Sequence, residues 1–140
     1  GLHQRAGNSP DRVIEVHGSI RSAQCLGCLW SEPADAVLAQ LEAAATPSCP
    51  QCGDVLKPGV VLFGELVPAA AMERATHLAR SARLVLVVGS SLEVWPVAGL
   101  PLEARGFAIV NRGPTALDEH ALIKVDAGAG ETLGAVLDCL

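Results

Sequence analysis

Four cysteines form the most reactive group of residues in this sequence. They occur as two Cys-x2-Cys pairs, Cys25–Cys28 and Cys49–Cys52, separated by 20 residues. A two-residue gap lets a tight turn present both sulfurs on one side, at about 2.3 Å from a tetrahedral zinc ion. Gly27 lies inside the first pair, Pro50 lies inside the second, and Gly53 follows it. The spacing therefore predicts one Zn²⁺ bound by four thiolates.

Other chemistries of paired cysteines fit this sequence less well. A thioredoxin-like site needs a strand before the pair and a helix after it, and neither pair has that setting. Disulfides need an oxidising compartment, and the odd fifth cysteine, Cys139, disfavours one. Four thiolates fill the zinc coordination shell, so the predicted ion is structural. We interpret Cys139, in the last predicted helix, as a thiol of the core.

The composition restricts the classes of partner. Half of the 140 residues are hydrophobic, and Lys and Arg total 10 against 15 Asp and Glu, a net charge of −5. The absence of a basic run disfavours nucleic-acid binding. No apolar run reaches the length of about 18 residues that crosses a bilayer. We therefore expect a cytoplasmic protein without a nucleic-acid or membrane partner.

Segments typical of strands and of helices alternate along the chain. The predicted strands are RVIEV at 12–16, VVLF at 60–63, LVLVV at 84–88, FAIVN at 107–111 and ALIKV at 121–125. The predicted helices lie at 33–45, 69–82, 97–105 and 131–140. Apolar residues share one face of the first two helices: Val37, Leu38, Leu41 and Ala45, then Met72, Ala75, Ala79 and Ala82. Continuously apolar strands predict a parallel sheet covered on both faces, in an α/β fold.

Ligands of parallel sheets bind at the carboxyl ends of the strands. Gly89, Ser90 and Ser91 follow the LVLVV strand and offer backbone N–H groups and hydroxyls to a phosphate. The same three residues also suit an ordinary turn between a strand and a helix. Asn111 ends the next strand, where it can bind a ribose hydroxyl or form an Asx-turn toward Gly113.

Two further side chains could take part in catalysis. His17 ends the first predicted strand beside Gly18, and a histidine there can act as a general base near neutral pH. A structural, hydrogen-bonded histidine is the alternative. Glu65 follows Phe63-Gly64 and is either a functional carboxylate or the cap of the next loop.

Seven segments, taken in order, resemble the sirtuins, the family of NAD-dependent protein-lysine deacylases. They are GLHQRAG, VIEVHGS, CLGC with CPQC, LKPGVVLFGE, LVLVVGSSLEVWPVAGLP, FAIVN and GAGETL. The resemblance implies a Rossmann-like parallel sheet, incomplete at its N-terminal side, that spans 1–22 and 56–140. It also implies an inserted small zinc module at 23–55, with NAD and an acyl-lysine peptide meeting in the cleft between the two parts.

The resemblance also implies roles for individual residues. His17 would be the catalytic base. The zinc ligands would be Cys25, Cys28, Cys49 and Cys52. The NAD-binding residues would be Gly89, Ser90, Ser91, Asn111 and Ala129. The residues around the acyl-lysine side chain would be Val60, Val61, Phe63, Gly64 and Val94. The segments VVLFGE and LEVWP would pair with the substrate backbone as strands.

The reaction implied by the resemblance transfers an acyl group from lysine to ADP-ribose and releases nicotinamide. NAD is then a co-substrate, Zn²⁺ is structural, and the partner is an acyl-lysine protein or peptide. The family pattern begins upstream of Gly1 with a glycine-rich NAD loop, so we expect the 140 residues alone to lack turnover. The alternative is a non-catalytic, zinc-stapled binding module, which would have no need of His17 or Asn111.

Overall fold

The structure, a computed structural model, describes residues 1–28, 30–42 and 46–140. The chain forms two compact units, Gly1–Ala71 and Met72–Leu140. Each unit has a sheet and a buried core of its own. The boundaries given by the resemblance, at 22/23 and 55/56, stay a prediction.

A three-stranded antiparallel sheet organises the first unit. Its strands are β1 (Gly18–Cys25), β2 (Ser31–Pro33) and β3 (Leu56–Val60), in the order β2-β1-β3. The helices of this unit are α1 (Leu2–Arg5), a 3₁₀ turn (Pro10–Arg12) and α2 (Asp35–Glu42). The register of β1 against β3 shifts between Ser19 and Ala23, so β1 is irregular near its start. This antiparallel sheet was not predicted from the sequence.

Two cysteines are among the five buried residues that the structure describes in the first unit's core. Its buried residues are Ala23, Cys25, Val37, Cys49 and Leu56, with Cys28 and Trp30 packed against them. Val37 of α2 reaches this core, whereas Leu38 and Leu41 are exposed. Ala45, predicted on the same face, lies outside the described residues. So small an apolar core supplies little stability unless another interaction reinforces it.

The strand predicted at 12–16 is wrong. Pro10–Arg12 is a 3₁₀ turn, and the first strand begins at Gly18 instead. The N–H groups of Val16 and Gly18 donate to the carbonyls of Ile14 and Glu15, at 3.2 and 2.9 Å. These local bonds make a turn of a segment whose β-branched residues are typical of a strand. The second predicted strand, at 60–63, is displaced toward the N-terminus, because β3 covers Leu56–Val60.

A three-stranded parallel sheet organises the second unit. Its strands are β4 (Val85–Val88), β5 (Phe107–Val110) and β6 (Ile123–Val125), in the order β4-β5-β6. Its helices are α3 (Ala69–Ser81), two 3₁₀ segments (Val97–Glu103 and Asp118–His120) and α4 (Ala129–Asp138). α3 begins at Ala69, which is three residues before Met72, the first residue of this unit. The predicted strands at 84–88, 107–111 and 121–125 are confirmed to within two residues. The α/β class is confirmed with them.

Ile109 in the middle of β5 is fully buried and is the centre of the second core. The other buried residues of that core are Val87, Leu92, Ala98, Phe107 and Leu117. On α3 the predicted face is confirmed, since Ala79 is buried and Met72 is half-buried. Leu86 and Val88 lie on the opposite side of β4 and remain exposed. The prediction of a sheet covered on both faces is therefore not met at β4.

Cys139 is exposed at the end of α4, so the prediction that it belongs to the core is wrong. It is the residue after the last helical turn, and none of the residues of α4 is buried. The described helices include none with the length and apolar composition needed to cross a membrane.

Two isoleucines test how far the second unit depends on its core. Ile109→Ala should lower the free energy of unfolding by about 2–5 kcal/mol, because a fully buried side chain leaves a cavity. Ile123→Ala is the matched control, since that side chain is 61% exposed, and should cost less than about 1 kcal/mol. Urea unfolding followed by circular dichroism measures both, and equal costs would contradict this account of the core.

Candidate metal centre and candidate active site

The four cysteines of the two pairs form one cluster in the first unit. All four Sγ atoms lie within 4.8 Å of one another. Sγ of Cys25 is 3.4 Å from Sγ of Cys52, and Sγ of Cys28 is 3.7 Å from those of Cys49 and Cys52. A tetrahedron with Zn–S bonds of 2.3 Å has S···S edges of about 3.8 Å. None of the four forms a disulfide, so the geometry matches a single tetrathiolate site.

Backbone groups shape each half of the cluster. The N–H of Gly27 donates to Sγ of Cys25 at 3.2 Å, and the N–H of Gln51 donates to Sγ of Cys49 at 3.4 Å. Such N–H···S bonds orient the sulfurs and stabilise their negative charge. A Cβ at position 27 would overlap Oδ2 of Asp54, so a larger residue there would require that carboxylate to move.

The protonation of the thiols shows why this cluster needs a cation. Burial alone would raise the pKa of Cys49, but N–H groups of Cys52 and Gln51 and the neighbouring thiols lower it to about 7. The N–H of Asp54 lowers the pKa of Cys52, but the Cys25 thiol and burial raise it to about 12. The Cys49 thiol therefore ionises more readily than an ordinary cysteine, and the Cys52 thiol less readily. A divalent cation allows all four to ionise together, so the donor set fits Zn²⁺.

His17 lies in the turn directly before β1, with its side chain exposed. Its backbone carbonyl accepts a hydrogen bond from the N–H of Val61 at 2.9 Å. The next residue, Gly18, pairs with Val60 across the sheet. Gly18 has φ +69°, and a Cβ there would overlap the carbonyl oxygen of Gly59. The main chain therefore holds His17 beside the segment that follows β3.

Four of the residues predicted to contact the acyl-lysine lie together in that segment. Val60 and Val61 are half-buried, Phe63 is 97% exposed, and Gly64 has φ +90° in the turn after it. The structure thus brings His17 and these four residues together in the first unit. Val94 belongs to the second unit, where it is 48% exposed. Neither VVLFGE beyond Val60 nor LEVWP is a strand in this structure.

The predicted NAD-binding residues meet at one edge of the parallel sheet. Val88 lies beside Val110, and Val110 beside Val125, so the three strands end together. Each following loop is tied to the next strand: Gly89 N–H donates to Val110 at 2.9 Å, and Asn111 N–H donates to Val125 at 3.1 Å. Ala129 begins α4, four residues after β6.

The turn after β4 is fixed by a buried residue with an unusual backbone. Leu92 has φ +56°, a conformation that side chains rarely adopt, and is 5% exposed in the core. Its N–H donates to the hydroxyl of Ser90 at 3.2 Å. That hydroxyl keeps its own hydrogen as a donor, while Gly89 and Ser91 are exposed beside it. Burial of Leu92 therefore holds the turn in place against its backbone strain.

The Asn111 side chain folds back into its own loop. Its Nδ2 group donates to the carbonyls of Arg112 and Gly113, at 2.9 and 3.4 Å. The Asx-turn expected as an alternative is not formed, because the N–H of Gly113 donates to Oδ1 of Asp126 at 3.0 Å and not to the oxygen of Asn111. Only the amide nitrogen is used in these contacts, so the amide oxygen is the atom that could accept a bond from a ligand.

A model of the Sir2 family matches residues 1–96, which include the cysteine cluster, His17 and the turn after β4. The chain belongs to the Sir2 family. The resemblance seen in the seven sequence segments is thereby confirmed.

Two curated relatives of this Sir2 chain are described as NAD-dependent protein deacetylases. NAD-dependent protein deacetylase 1 of Bradyrhizobium diazoefficiens is 38% identical over 137 residues, which cover 95% of this chain and 54% of the relative. The NAD-dependent protein deacetylase of Chromobacterium violaceum is 42% identical over 136 residues, which cover 94% of this chain and 52% of the relative. The chain therefore spans about half the length of these curated relatives.

Solved structures agree with this assignment. A structure described as Sir2 bound to acetylated peptide matches with a TM-score of 0.90 and 35% identity, over 98% of this chain and 58% of that one. A structure described as Sir2-p53 peptide-NAD+ matches with a TM-score of 0.89 and 36% identity, over the same shares. At this identity both the fold and the family are shared.

Sequence reasoning missed two cationic residues of this Sir2 chain. The ammonium group of Lys57, in β3, contacts the carbonyl of Val60 and the carboxylate of Glu65, which lie on either side of Phe63 in the sequence. Arg112 follows Asn111, and its guanidinium lies so close to Gly128 that a Cβ there would be 3.0 Å from it. Arg112 directly follows the strand-end residue Asn111 in the sequence, and that position is the signal that could have identified it.

Removal of one cysteine tests the metal centre. Cys49→Ser should abolish stoichiometric zinc binding and unfold the first unit, because its core contains that thiol. Cys139→Ser is the matched control and should keep one zinc ion per chain, since that thiol is exposed in the other unit. Metal analysis and circular dichroism measure the two effects. A folded, metal-free Cys49→Ser protein would refute the structural role.

A pair of glycines tests the close approach beside His17. Gly18→Ala combines left-handed strain with overlap on Gly59, whereas Gly7→Ala, at φ +93°, introduces the strain alone. Gly7→Ala should therefore cost about 1–2 kcal/mol, and Gly18→Ala should cost more. Gly18→Ala should also speed hydrogen exchange at the Val61 amide, which NMR can follow. Equal costs for the two variants, with unchanged exchange at the Val61 amide, would contradict a close contact between position 18 and the Gly59 carbonyl.

Proposed function

We propose that this chain carries the base and acyl-lysine segment of an NAD-dependent protein-lysine deacylase, together with part of its NAD site. In that reaction an acyl-lysine, NAD and water give lysine, nicotinamide and O-acyl-ADP-ribose. One observation supports the proposal above the others: backbone pairing holds an exposed His17 beside Val60–Gly64 in a Sir2 chain. Relatives described as NAD-dependent protein deacetylases support the same reaction.

His17 is the proposed general base. Imidazole can accept a proton near neutral pH, and the exposed position of this side chain leaves it accessible to a substrate. The carbonyl oxygen of the acyl-lysine attacks C1′ of the nicotinamide ribose as nicotinamide leaves. His17 then removes a proton from a ribose hydroxyl, whose oxygen attacks the former carbonyl carbon. Water completes the transfer and releases lysine.

The segment after β3 is the proposed contact for the acyl-lysine. Val60, Val61 and Phe63 offer apolar surface to the lysine methylenes. The role that the resemblance gives to Val94 stays a prediction. Gly64 permits the turn that leaves Phe63 exposed. Pairing between this segment and an extended peptide would use main-chain groups, and main-chain recognition tolerates many peptide sequences.

The edge of the parallel sheet is the proposed binding region for NAD. Backbone N–H groups and hydroxyls of Gly89, Ser90 and Ser91 suit the pyrophosphate and the ribose next to it. The amide oxygen of Asn111 would accept a bond from the adenine ribose, and the backbone near Ala129 would contact adenine. Ligands of open parallel sheets bind at this edge, which supports the assignment. The thiolates of the first unit would hold a structural Zn²⁺ that takes no part in the chemistry.

Turnover by a completed enzyme tests the proposal. The 140 residues alone should release no O-acyl-ADP-ribose from NAD and an acetyl-lysine peptide. Joined to the part of the Bradyrhizobium deacetylase outside the matched region, the chain should release it. His17→Ala in the joined protein should lower turnover by about 10²–10⁴-fold, which is the contribution of a general base. Mass spectrometry of the product measures all three.

The matched control for His17 is His77→Ala, because His77 is an exposed histidine on α3. It should leave turnover within about twofold of the unchanged protein. Zinc content should be the same in both variants. A joined protein that is folded, zinc-loaded and inactive would favour the non-catalytic binding module instead.

A further inference from the structure

The ammonium group of Lys57 uses its three hydrogens on three acceptors. Nζ donates to the carbonyl oxygen of Val60 at 2.7 Å, to that of Pro58 at 3.4 Å, and to Oε2 of Glu65 at 2.9 Å. An ammonium group has three donors and no acceptor, so these contacts satisfy it completely. The side chain is 15% exposed, so the contacts are partly shielded from water. Lys57 therefore joins the end of β3 to a carboxylate eight residues further along the chain.

Glu65 closes the turn that follows β3. Its Oε2 accepts a hydrogen bond from the N–H of Leu62 at 3.0 Å, and its own N–H donates to the carbonyl of Leu62 at 3.0 Å. The Leu62 N–H and then Lys57 lower the pKa of Glu65 below its ordinary value. The carboxylate is therefore ionised at neutral pH. We call Lys57, Glu65 and their bonds to this turn the Lys57–Glu65 clamp.

The turn held by the clamp has little apolar burial to stabilise it. Phe63 is 97% exposed and Leu66 is 94% exposed, so neither packs against the first unit. A turn of this kind populates one conformation only if polar contacts restrict it, since ordering each residue costs about 1–2 kcal/mol of conformational entropy. The clamp is the set of contacts that does this.

The other end of the same segment is also restrained. Val61 N–H donates to the backbone carbonyl of His17, so the segment is tied to the proposed base at one end and to the clamp at the other. Any peptide that binds along this segment would meet a surface already ordered. A preordered surface binds more tightly, because less conformational entropy is lost on binding.

We infer that Lys57 and Glu65 are positioning residues for acyl-lysine recognition: they order Val61–Gly64 without touching the reacting atoms. This inference rests on the proposed function, because it takes the peptide site from there. Loss of either charge should leave the zinc centre intact and weaken peptide binding. We expect Lys57→Met to raise the Kd of an acetyl-lysine peptide about tenfold, and Glu65→Gln about fivefold, since the amide keeps one acceptor.

The experiment uses the 140-residue chain with bound zinc. The ligand is a fluorescein-labelled peptide in which uncharged residues flank the acetyl-lysine. Fluorescence anisotropy gives the peptide Kd, and NMR hydrogen exchange follows the Leu62 and Glu65 amides. Arg80→Met and Glu103→Gln are matched controls, because Arg80 and Glu103 form an ion pair of 2.7 Å in the second unit. They remove the same charges and should change neither readout. The double variant Lys57→Met/Glu65→Gln should bind no more weakly than Lys57→Met alone, because one contact cannot be lost twice.

The outcomes separate this inference from the proposed function. Faster exchange at Leu62 and Glu65, together with weaker peptide binding in both single variants, supports it. Unchanged exchange, or peptide binding equal to that of the unchanged chain, overturns the inference and leaves the proposed function standing. Absence of peptide binding by the unchanged chain overturns the inference, whereas the proposed function is decided separately by turnover of the joined protein. If Lys57→Met loses zinc, Glu65→Gln alone decides, since that substitution keeps the size of the side chain.

Discussion

The first unit depends on the electrostatics of four sulfur atoms confined within 4.8 Å. Two of these sulfurs belong to the buried core, so packing and charge cannot be separated there. In an apolar protein interior, like charges at this distance cannot persist without a counter-charge. A divalent cation removes the repulsion and closes the long connection between the two Cys-x2-Cys pairs. β1 ends at the first cysteine of one pair and β3 follows the other pair, so the same ion would hold these two strands together at the end opposite Gly18 and Val60.

In the second unit, the backbone pairing of the parallel sheet positions the loops of the candidate NAD site. Three parallel strands that end in register must present three loops at one edge, whatever side chains those loops carry. The side chains then decide which ligand fits. Here they include two hydroxyls, an amide oxygen and the guanidinium of Arg112, which together match a polar, negatively charged molecule better than an apolar one.

The sequence predicts well those features that depend on local spacing or on continuous apolar runs. The zinc cluster follows from two short spacings, and β4 and β5 follow from apolar runs of four or five residues. Prediction fails where local turn bonds override the strand propensity of the side chains, or where a contact depends on a turn that the sequence does not predict. Residues 12–16 have strand-forming side chains, but local turn bonds leave them without a strand partner. The Lys57–Glu65 clamp could not be predicted, because the eight-residue spacing has meaning only after the turn at Gly64 is known. Cys139 was misplaced because a thiol one residue past a helix end looks the same in sequence as one inside it.

The link between His17 and Val61 has a consequence for how such a protein can diversify. This hydrogen bond joins the backbone amide of Val61 to the backbone carbonyl of His17, so it does not depend on the side chain at either position. Residue 61 can therefore change in size or polarity while the imidazole keeps its place. If that residue contacts the acyl group, evolution can alter the preferred acyl chain by single substitutions without disturbing the proton-transfer apparatus. If His17 is the base and residue 61 contacts the acyl group, as proposed, selectivity and reactivity can change independently, although the two residues are hydrogen-bonded neighbours.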